Sequence, residues 1–287
     1  MSRTKRWFFI YIPVSIAVLL LFLYTENNSI GTTAYKLSSS KLPSGFERYR
    51  IVHLSDLQSK EFGRDQRPLI RKVQKLKPDI IVVTGDLVDS THYNADASYK
   101  MMKGVAEIAP VYFARGNHEY FAPDYPALEQ KLREAGIHIL QNVSVSLPLG
   151  DGRIELAGVD DPVFDQIEDG DVAKISKHLD QALGGLEGEE AEAYTVLLSH
   201  RPELFQVYAD YEIDLSLAGH AHGGQFRIPF VGGVYSPEQG FWPDLSQGSH
   251  TLGDSTLIVS RGLGNSIIPQ RLFNRPEIVV VDLIGEG

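Results

Sequence analysis

The sequence predicts an α/β protein, a four-layer α-β-β-α sandwich of two mixed sheets flanked by helices, with an N-terminal transmembrane helix. Three observations predict it. Short apolar runs alternate with amphipathic segments of helical spacing from residue 50 onwards, a strand-rich second half follows, and a long uncharged apolar run stands near the N-terminus. The chain has 287 residues, 43% of them hydrophobic, which is enough to bury a substantial core.

The N-terminal apolar run, Trp7–Tyr24, has 18 residues without a charge and is just long enough to span a bilayer. Three basic residues precede it: Arg3, Lys5 and Arg6. The positive-inside rule therefore predicts a single-pass signal anchor in the cell membrane, with residues 1–6 in the cytoplasm and the remainder extracytoplasmic. The alternative is a cleaved signal peptide, whose apolar region would be shorter and followed by a small-residue cleavage site.

A single domain is predicted over residues 49–287, after a polar linker at 25–48 that holds at most a short strand. Its first half alternates strands with helices in this order: strand 50–55, helix 65–76, strand 80–84, helix 95–108, strand 111–114, helix 126–135 and strand 137–140. Strand–helix–strand units of this length favour right-handed crossovers and a largely parallel sheet. The second half is predicted to contain a hairpin, a helix and four further strands: hairpin 143–149 and 153–159, helix 172–183, strands ending at 200 and near 218, and strands 256–260 and 277–283.

Composition excludes several classes of function. There is no cysteine, so the chain has no disulfide, no thiolate metal site and no cysteine nucleophile. The formal net charge is −10, and because Arg3, Lys5 and Arg6 contribute +3, the rest of the chain carries −13. Such an acidic body makes a nucleic-acid partner unlikely, since phosphate backbones bind basic surfaces. The motifs of serine hydrolases and zinc proteases, Gly-x-Ser-x-Gly and His-Glu-x-x-His, do not occur.

The most informative stretch is Leu217–Gln225, in which His220 and His222 stand on a glycine-rich turn after an apolar run. Four earlier apolar runs also end in residues of ligand type: Asp56, Asp86, Asn117 with His118, and His200. Because α/β proteins place their sites where strands end, we expect these side chains to converge. Mixed carboxylate, amide and imidazole ligands suit Mn, Fe, Zn or Co better than Mg or Ca. The pattern predicts a two-metal enzyme in which an aspartate bridges the ions.

Five motifs, in this order, resemble those of the calcineurin-like metallophosphoesterases: Asp56-Leu57-Gln58, Gly85–Asp89, Gly116–Glu119, Ser199-His200 and Gly219–His222. The resemblance covers residues 50–225. The tail from Gly223 to Asn274 is similar to the membrane-anchored bacterial branch that includes YkuE- and YaeI-type phosphodiesterases.

The resemblance implies a role for each matching residue. One of two divalent ions, with Mn favoured, would be held by four residues: Asp56, Gln58, Asp86 and His222. The second ion would share Asp86 and be completed by three others: Asn117, His200 and His220. His118 would stabilise the transition state or protonate the leaving oxygen without binding metal, and Asp89 is placed to orient its ring.

One position departs from the family pattern. The family usually has a histidine two residues after the first aspartate, and Gln58 stands there. A carboxamide oxygen is a weaker ligand than imidazole, so we expect lower affinity or a harder ion at the first metal position.

The leading functional hypothesis is a metal-dependent hydrolase of phosphodiester or pyrophosphate bonds at the outer membrane face. The tether confines the site to within reach of the bilayer, so a phospholipid or lipid-linked substrate is attractive. The aromatic segment 235–242 could line a lipid-facing pocket, although a folded loop is the favoured interpretation. The alternative is a catalytically degenerate metal-binding scaffold at the membrane, which Gln58 motivates. The natural substrate, the preference for diester or monoester and the oligomeric state stay open.

Overall fold

Two six-stranded sheets form the centre of the protein. The computed structural model describes residues 3–43, 48–166, 168–266 and 268–285. The first sheet contains β1 (Gly31–Ser39), β2 (Tyr49–Leu54), β3 (Ile80–Thr84), β4 (Val111–Ala114), β5 (His138–Ile139) and β16 (Glu277–Gly285). The second contains β6 (Val143–Leu149), β7 (Gly152–Gly158), β8 (Tyr194–Leu198), β9 (Leu215–Ala218), β14 (Gly248–Leu252) and β15 (Ser255–Val259).

Both sheets are mixed, as predicted. The first has the order β1-β16-β2-β3-β4-β5, in which only the β16–β2 pair is antiparallel. The second has the order β14-β15-β9-β8-β7-β6, with a parallel centre and an antiparallel hairpin at each edge. The predicted hairpin at 143–159 is the β6–β7 pair.

Helices cover the outer faces of both sheets. In the described residues, seven α-helices follow the N-terminal one: α2 (Arg67–Leu76), α3 (Ala95–Ala106), α4 (Asn117–Phe121), α5 (Tyr125–Glu134), α6 (Asp171–Leu183), α7 (Glu189–Glu192) and α8 (Phe205–Asp210). One core joins the first sheet to α2, α3 and α5, a second lies between the sheets, and a third joins the second sheet to α6 and α8. Strand β3 illustrates the packing, because Val83 contributes to the first core and its neighbour Val82 to the second. The predicted four-layer α-β-β-α sandwich is confirmed.

Two short hairpins follow the second sheet's central strands. They pair β10 (Arg227–Ile228) with β11 (Gly232–Gly233), and β12 (Tyr235–Ser236) with β13 (Gly240–Phe241). The folded-loop interpretation of the aromatic segment 235–242 therefore agrees with the structure.

Helix α1 (Arg3–Asn28) contains the predicted transmembrane run. Its segment Phe9–Asn28 is long and apolar enough to cross a membrane, with a mean hydropathy of 2.0, and only 6% of the hydropathy window is buried by the rest of the protein. Residues 1 and 2 of the predicted cytoplasmic segment lie outside the described residues, as do residues 286 and 287 of the predicted domain.

The predicted linker at residues 25–48 is largely ordered structure, which corrects the expectation of at most a short strand. Helix α1 continues to Asn28, and nine residues, Gly31–Ser39, form β1 beside β16. Side chains along β1 alternate between half-buried and exposed, the pattern of a strand with one covered face. Its Ser and Thr content hides this alternation from a hydrophobicity pattern. Residues 44–47 of the linker lie outside the described residues.

Candidate metal centre

The predicted ligand residues stand on loops at the carboxyl ends of strands in both sheets. Asp56 and Gln58 follow β2, Asp86 follows β3, Asn117 follows β4, His200 follows β8, and His220 and His222 follow β9. Backbone hydrogen bonds hold the first loops side by side, from Asp56 N to Gly85 O at 3.0 Å and from Gln58 N to Asp86 O at 2.9 Å. The structure brings these loops together between the two sheets, at one edge, as strand-end placement predicts.

A first group of ligand atoms consists of Asp86, His200 and His220, all buried. His200 Nε2 lies 3.2 Å from Asp86 Oδ2 and 3.1 Å from His220 Nδ1. The other nitrogen of each ring has an acceptor outside the group. His200 Nδ1 donates to the Thr84 carbonyl at 2.8 Å, and His220 Nε2 donates to the Glu238 carboxylate at 2.6 Å. In neutral rings, the state that binds a metal ion, these bonds place the ring protons away from the group, so that the lone pairs of His200 Nε2 and His220 Nδ1 face one another across it.

A second group consists of Asp56, Asp86 and His222. His222 Nε2 lies 3.3 Å from Asp56 Oδ1, and the Asp56 carboxylate also accepts from the His220 backbone N–H at 3.0 Å. The hydrogen-bond partner described for His222 Nδ1 is Arg271 Nη2 at 3.5 Å, the outer limit of a hydrogen bond, so this tautomer is not fixed in the same way. Asp86 belongs to both groups, and in each group the ligand atoms lie within 4.8 Å of one another.

Two amide oxygens beside these groups support a cation. Among the described residues, Gln58 Oε1 and Asn117 Oδ1 are buried without a hydrogen-bond partner. The Gln58 amide nitrogen donates to Asp86 Oδ2 at 2.8 Å, which leaves its oxygen free to accept. A buried acceptor without a donor is destabilising unless a cation or water meets it. The donor set of carboxylates, imidazoles and unmet amide oxygens therefore fits one or two divalent ions.

Charge in the centre also fits a cation. Burial opposes ionisation of Asp86, but the rings of His200 and His118 outweigh it and hold its pKa well below the usual range. Burial likewise opposes charge on His200, yet the nearby carboxylates of Asp86 and Asp56 raise its pKa to about 10. Burial raises the pKa of Asp56. These carboxylates therefore need positive charge close by, which divalent ions supply when bound.

The backbone at the centre is strained. Five of the predicted ligands adopt a positive φ: Asp56 (51°), Gln58 (51°), Asp86 (50°), His220 (64°) and His222 (46°). Such conformations cost on the order of 1 kcal/mol each for residues with a Cβ and persist where the surrounding structure enforces them, often at functional sites. Close packing adds to this, because a Cβ at Gly219 would collide with the side chains of Ser55 and Asp56.

His118 lies at the edge of the centre, a quarter exposed. Its Nδ1 accepts from the backbone N–H of Ser90 at 3.0 Å, so in the neutral ring the proton is on Nε2, which lies 3.9 Å from Asp86 Oδ2. The structure places Asp89 differently from its predicted role. Its carboxylate accepts from Thr91 and His92, and its nearest oxygen is 3.9 Å from His118 Nδ1. The Ser90 amide orients the ring instead.

Glu119 is a buried supporting residue whose role was not predicted from sequence. One carboxylate oxygen accepts from the backbone N–H groups of Asp86 and Gly116, both at 2.8 Å. The other oxygen accepts from Val88 N at 3.2 Å. Burial, followed by the charge of Asp86, raises the Glu119 pKa to about 8. Glu119 therefore ties the loop after β3 to the loop after β4, and its position after Asn117-His118 was the available signal.

Glu238 is a second supporting residue that sequence reasoning missed. It stands at the tip of the β12–β13 hairpin, where it accepts from His220 Nε2 and pairs with Arg201 at 3.0 Å. Burial opposes its charge, but His220 and Arg201 outweigh this and lower its pKa to about 2. Arg201 in turn binds the Asp161 carboxylate through two nitrogens, at 2.5 and 3.1 Å. A chain of charged side chains thus runs from Asp161 to the ring of His220.

Asn274 holds the turn that carries His222. Its amide nitrogen donates to the carbonyls of His222 at 2.7 Å and Gln225 at 2.9 Å. Residues beyond the last motif thereby shape the centre, since Asn274 lies about 50 residues further along the chain than His222.

The comparisons with known proteins agree with this arrangement. Three curated relatives are similar over most of this chain. The uncharacterized metallophosphoesterase YkuE of Bacillus subtilis is 29% identical over 266 residues, covering 91% of this chain and 87% of its own length. The phosphodiesterase YaeI of Escherichia coli is 29% identical over 248 residues and 82% of each chain. A Bos taurus transmembrane protein with a metallophosphoesterase domain is 30% identical over 257 residues, 86% of this chain and 55% of its own.

A family model, that of the calcineurin-like phosphoesterases, matches residues 49–224. This range contains both sheets' central strands and every predicted ligand, from Asp56 to His222. The chain therefore belongs to the calcineurin-like phosphoesterase family and is a phosphoric ester hydrolase.

Proposed function

We propose that this protein is a two-metal hydrolase of phosphodiester or pyrophosphate bonds, anchored in the membrane and acting at its outer face on a phospholipid or lipid-linked substrate. The observation that carries the proposal is the pair of ligand groups that share Asp86. A carboxylate shared between two groups is what a bridged pair of ions requires.

The ligand sets are assigned by proximity and by the unmet oxygens. Asp56, Gln58 and His222 would complete the first position together with Asp86. Asn117, His200 and His220 would complete the second, again with Asp86. Divalent ions such as Mn, Fe, Zn or Co supply Lewis acidity and a nucleophilic hydroxide at neutral pH, and Mn is the favoured choice. A substrate phosphoryl group is anionic, so it would bind next to the two positively charged ions.

His118 is the proposed catalytic residue. Ser90 N–H fixes the ring so that the proton stands on Nε2, the nitrogen on the side of Asp86. In this neutral ring the N–H can donate a hydrogen bond to a phosphoryl oxygen as charge develops there. Protonation of the leaving alkoxide would require the doubly protonated ring, whose Nδ1–H would face the N–H of Ser90. The backbone N–H of His118 donates to Asp86 Oδ1 at 3.0 Å, which fixes the position of the ring relative to the carboxylate.

The location at the membrane rests on α1 and on the charges around it. Basic residues stand on the N-terminal side of the apolar run, which favours a cytoplasmic N-terminus and an extracytoplasmic domain. The Bos taurus relative is named a transmembrane protein, which supports the anchor. A tethered site meets lipid-linked phosphoesters at high local concentration.

The second candidate, a degenerate scaffold, is favoured by one observation, the replacement of histidine by Gln58. The unmet oxygen of Gln58 and the retained His118 argue against it, because a scaffold needs neither a fourth ligand nor a proton donor.

The test uses the full chain in detergent, stripped of metal with a chelator and reloaded with Mn. Hydrolysis of bis-p-nitrophenyl phosphate is compared with that of p-nitrophenyl phosphate, and bound metal is counted by mass spectrometry. We expect two ions per chain and faster cleavage of the diester. The His118→Ala variant should keep both ions and lose about 10²- to 10³-fold in kcat, since it removes a hydrogen-bond donor to the developing negative charge.

Two outcomes would contradict the proposal. If fewer than two ions bind, the two-metal assignment fails. If two ions bind and His118→Ala hydrolyses the diester at the unaltered rate, the proposed catalytic role of His118 fails.

A further inference from the structure

Exposed apolar side chains are concentrated in one part of the domain. Outside α1, the large hydrophobic side chains exposed in the described residues include nine between residues 228 and 273: Ile228, Phe230, Val231, Tyr235, Phe241, Trp242, Leu252, Ile268 and Phe273. In the described part of the chain only four stand elsewhere: Tyr120, Phe121, Val143 and Val172. A segment of about one sixth of the chain therefore carries most of these side chains, and such concentration marks an interaction surface.

Four of these residues form what we call the apolar rim: Ile228, Phe230, Val231 and Phe273. The turn between β10 and β11 supplies the first three, and all four border one shallow depression. Phe230, at the tip of the turn, is fully exposed, and Val231 is 65% exposed. No described contact explains why a turn in contact with water would present Phe and Val at its tip.

The apolar rim is joined to α1. The ring of Phe273 packs against the ring of Phe22 in that helix, with centroids 5.6 Å apart. Asn27 Nδ2 donates to Pro269 O at 2.9 Å, and Arg271 N donates to Asn27 Oδ1 at 2.8 Å. Arg275 forms an ion pair with the buried Glu26 at 2.7 Å. These contacts fix the domain to the end of the helix instead of leaving it on a flexible tether.

The same contacts give the height of the rim relative to a bilayer. Glu26 is the first charged residue after the apolar run, so hydrocarbon must end before it. Phe22 stands four residues earlier, about 6 Å deeper along the helix axis at 1.5 Å per residue. Because Phe273 packs on Phe22, while Arg275 pairs with Glu26, this side of the domain descends past the polar end of the helix.

We propose that the apolar rim is immersed in the bilayer leaflet from which α1 emerges, so that the domain lies on the lipid surface. The occupant of the rim is therefore lipid. A depth of several Å suits side chains that enter the region between headgroups and acyl chains. The inference rests on α1 crossing the membrane, as in the proposed function, and is independent of catalysis.

Immersion would place the metal centre next to the headgroups. Strand β10 begins at Arg227, whose guanidinium donates to the Gly223 carbonyl at 2.9 Å, directly beside His222. On the other side, Asn274 follows Phe273 and binds the His222 carbonyl. The turn that carries His222 is thus fixed to the rim at both ends, so a phosphoester at the headgroup level stands close to the predicted ligands.

The test measures lipid contact at single labelled sites in full-length protein reconstituted in liposomes. The chain has no cysteine, so one substitution gives one label. A fluorophore is attached in three variants: Phe230→Cys on the rim, Leu20→Cys within α1, and Val172→Cys on α6. Positions 230, 20 and 172 are all exposed, so folding is preserved. Quenching is measured with nitroxide on lipid acyl chains and, separately, with aqueous iodide.

We expect the Phe230→Cys label to behave like the Leu20→Cys label, quenched by lipid nitroxide and protected from iodide, with the reverse at Val172→Cys. If the Phe230→Cys label follows Val172→Cys while Leu20→Cys contacts lipid, the immersion of the rim is refuted and the anchor stands. If Leu20→Cys is itself quenched by iodide and not by lipid nitroxide, the anchor fails and the proposal for the rim fails with it. Neither result depends on hydrolysis.

Discussion

The two sheets contribute different chemistry to the same centre. The loops after β2, β3 and β4 of the first sheet bring oxygen ligands, namely the carboxylates of Asp56 and Asp86 and the amides of Gln58 and Asn117. The loops after β8 and β9 of the second sheet bring only imidazoles, His200, His220 and His222. Strained turns occur on both sides. The oxygen side carries the negative charge, whereas on the nitrogen side the rings of His200 and His220 are oriented by acceptors outside the centre.

This difference indicates where each kind of damage would appear. Loss of a carboxylate on the oxygen side removes negative charge that would hold the ions, so activity should suffer most. Substitution of a residue that orients a histidine ring should leave the ligands in place but loosen their orientation. Metal affinity should therefore fall, while the rate of hydrolysis at saturating metal changes little.

The largest effect is expected for Asp86→Asn, which removes the carboxylate common to both ligand groups. We expect diester hydrolysis to fall by about 10³-fold or more, since metal-ion catalysis is worth several kcal/mol. Bound Mn, counted by mass spectrometry, should drop below two ions per chain. Asp89→Asn is the matched control, because its carboxylate binds Thr91 and His92 instead of the ligand groups. Equal losses of diester hydrolysis and bound Mn in the two variants would show that Asp86 is not the carboxylate that joins the two ligand groups.

A smaller effect is expected for Glu238→Gln, which weakens the hydrogen bond behind His220. Outer partners of this kind contribute roughly 10- to 100-fold to metal affinity. We expect a loss of that size in Mn affinity, measured by competition with a chelating dye, and recovery of most activity at saturating Mn.

The control for this variant is Glu203→Gln. Glu203 pairs with the same Arg201 guanidinium, at 3.4 Å, but makes no described hydrogen bond to His220. If both substitutions weaken Mn binding equally, the effect comes from the charge around Arg201 and the orientation of His220 is irrelevant.

The smallest effect is expected for Gln58→His, which introduces a nitrogen ligand on the oxygen side. Imidazole is the stronger ligand for Mn or Zn, so affinity should rise by up to about tenfold, or roughly 1.4 kcal/mol. Chelator competition on the purified variant measures this. Unchanged or weaker binding would mean that Gln58 does not reach the ion.

Most of the fold could be predicted from sequence because the central strands are continuous apolar runs. Ile80–Thr84 and Val111–Ala114 are covered on both faces, so hydrophobicity alone identifies them. The full length of strand β1 was not predicted, because its partner β16 comes from the far end of the sequence and the exposed face of β1 is polar. Helices α4, α7 and α8 have four to six residues, too few for a periodic pattern.

The ligand residues could be predicted because each follows a recognisable strand. The residues that hold and orient them could not be predicted in this way. Glu238 acts through a fold of the β12–β13 hairpin over His220, which no local pattern encodes. The orientation of His118 comes from the backbone N–H of Ser90. Because every non-proline residue has such an N–H, the sequence does not single out Ser90. A carboxylate commonly orients a histidine ring, which is why the sequence predicts this role for Asp89. In the structure the Asp89 carboxylate accepts from the Thr91 N–H instead.

The position of β16 has a consequence for folding during synthesis. This strand lies between β1 and β2, although it begins only at Glu277, after nearly all other elements have been made. Until it arrives, β1 has no neighbour in the sheet and one edge of β2 is bare. Completion of the first sheet must therefore wait for synthesis to reach this strand, a long-range closure of the kind that folds slowly. In the proposed membrane-anchored protein, this unfinished edge would lie beside the lipid surface.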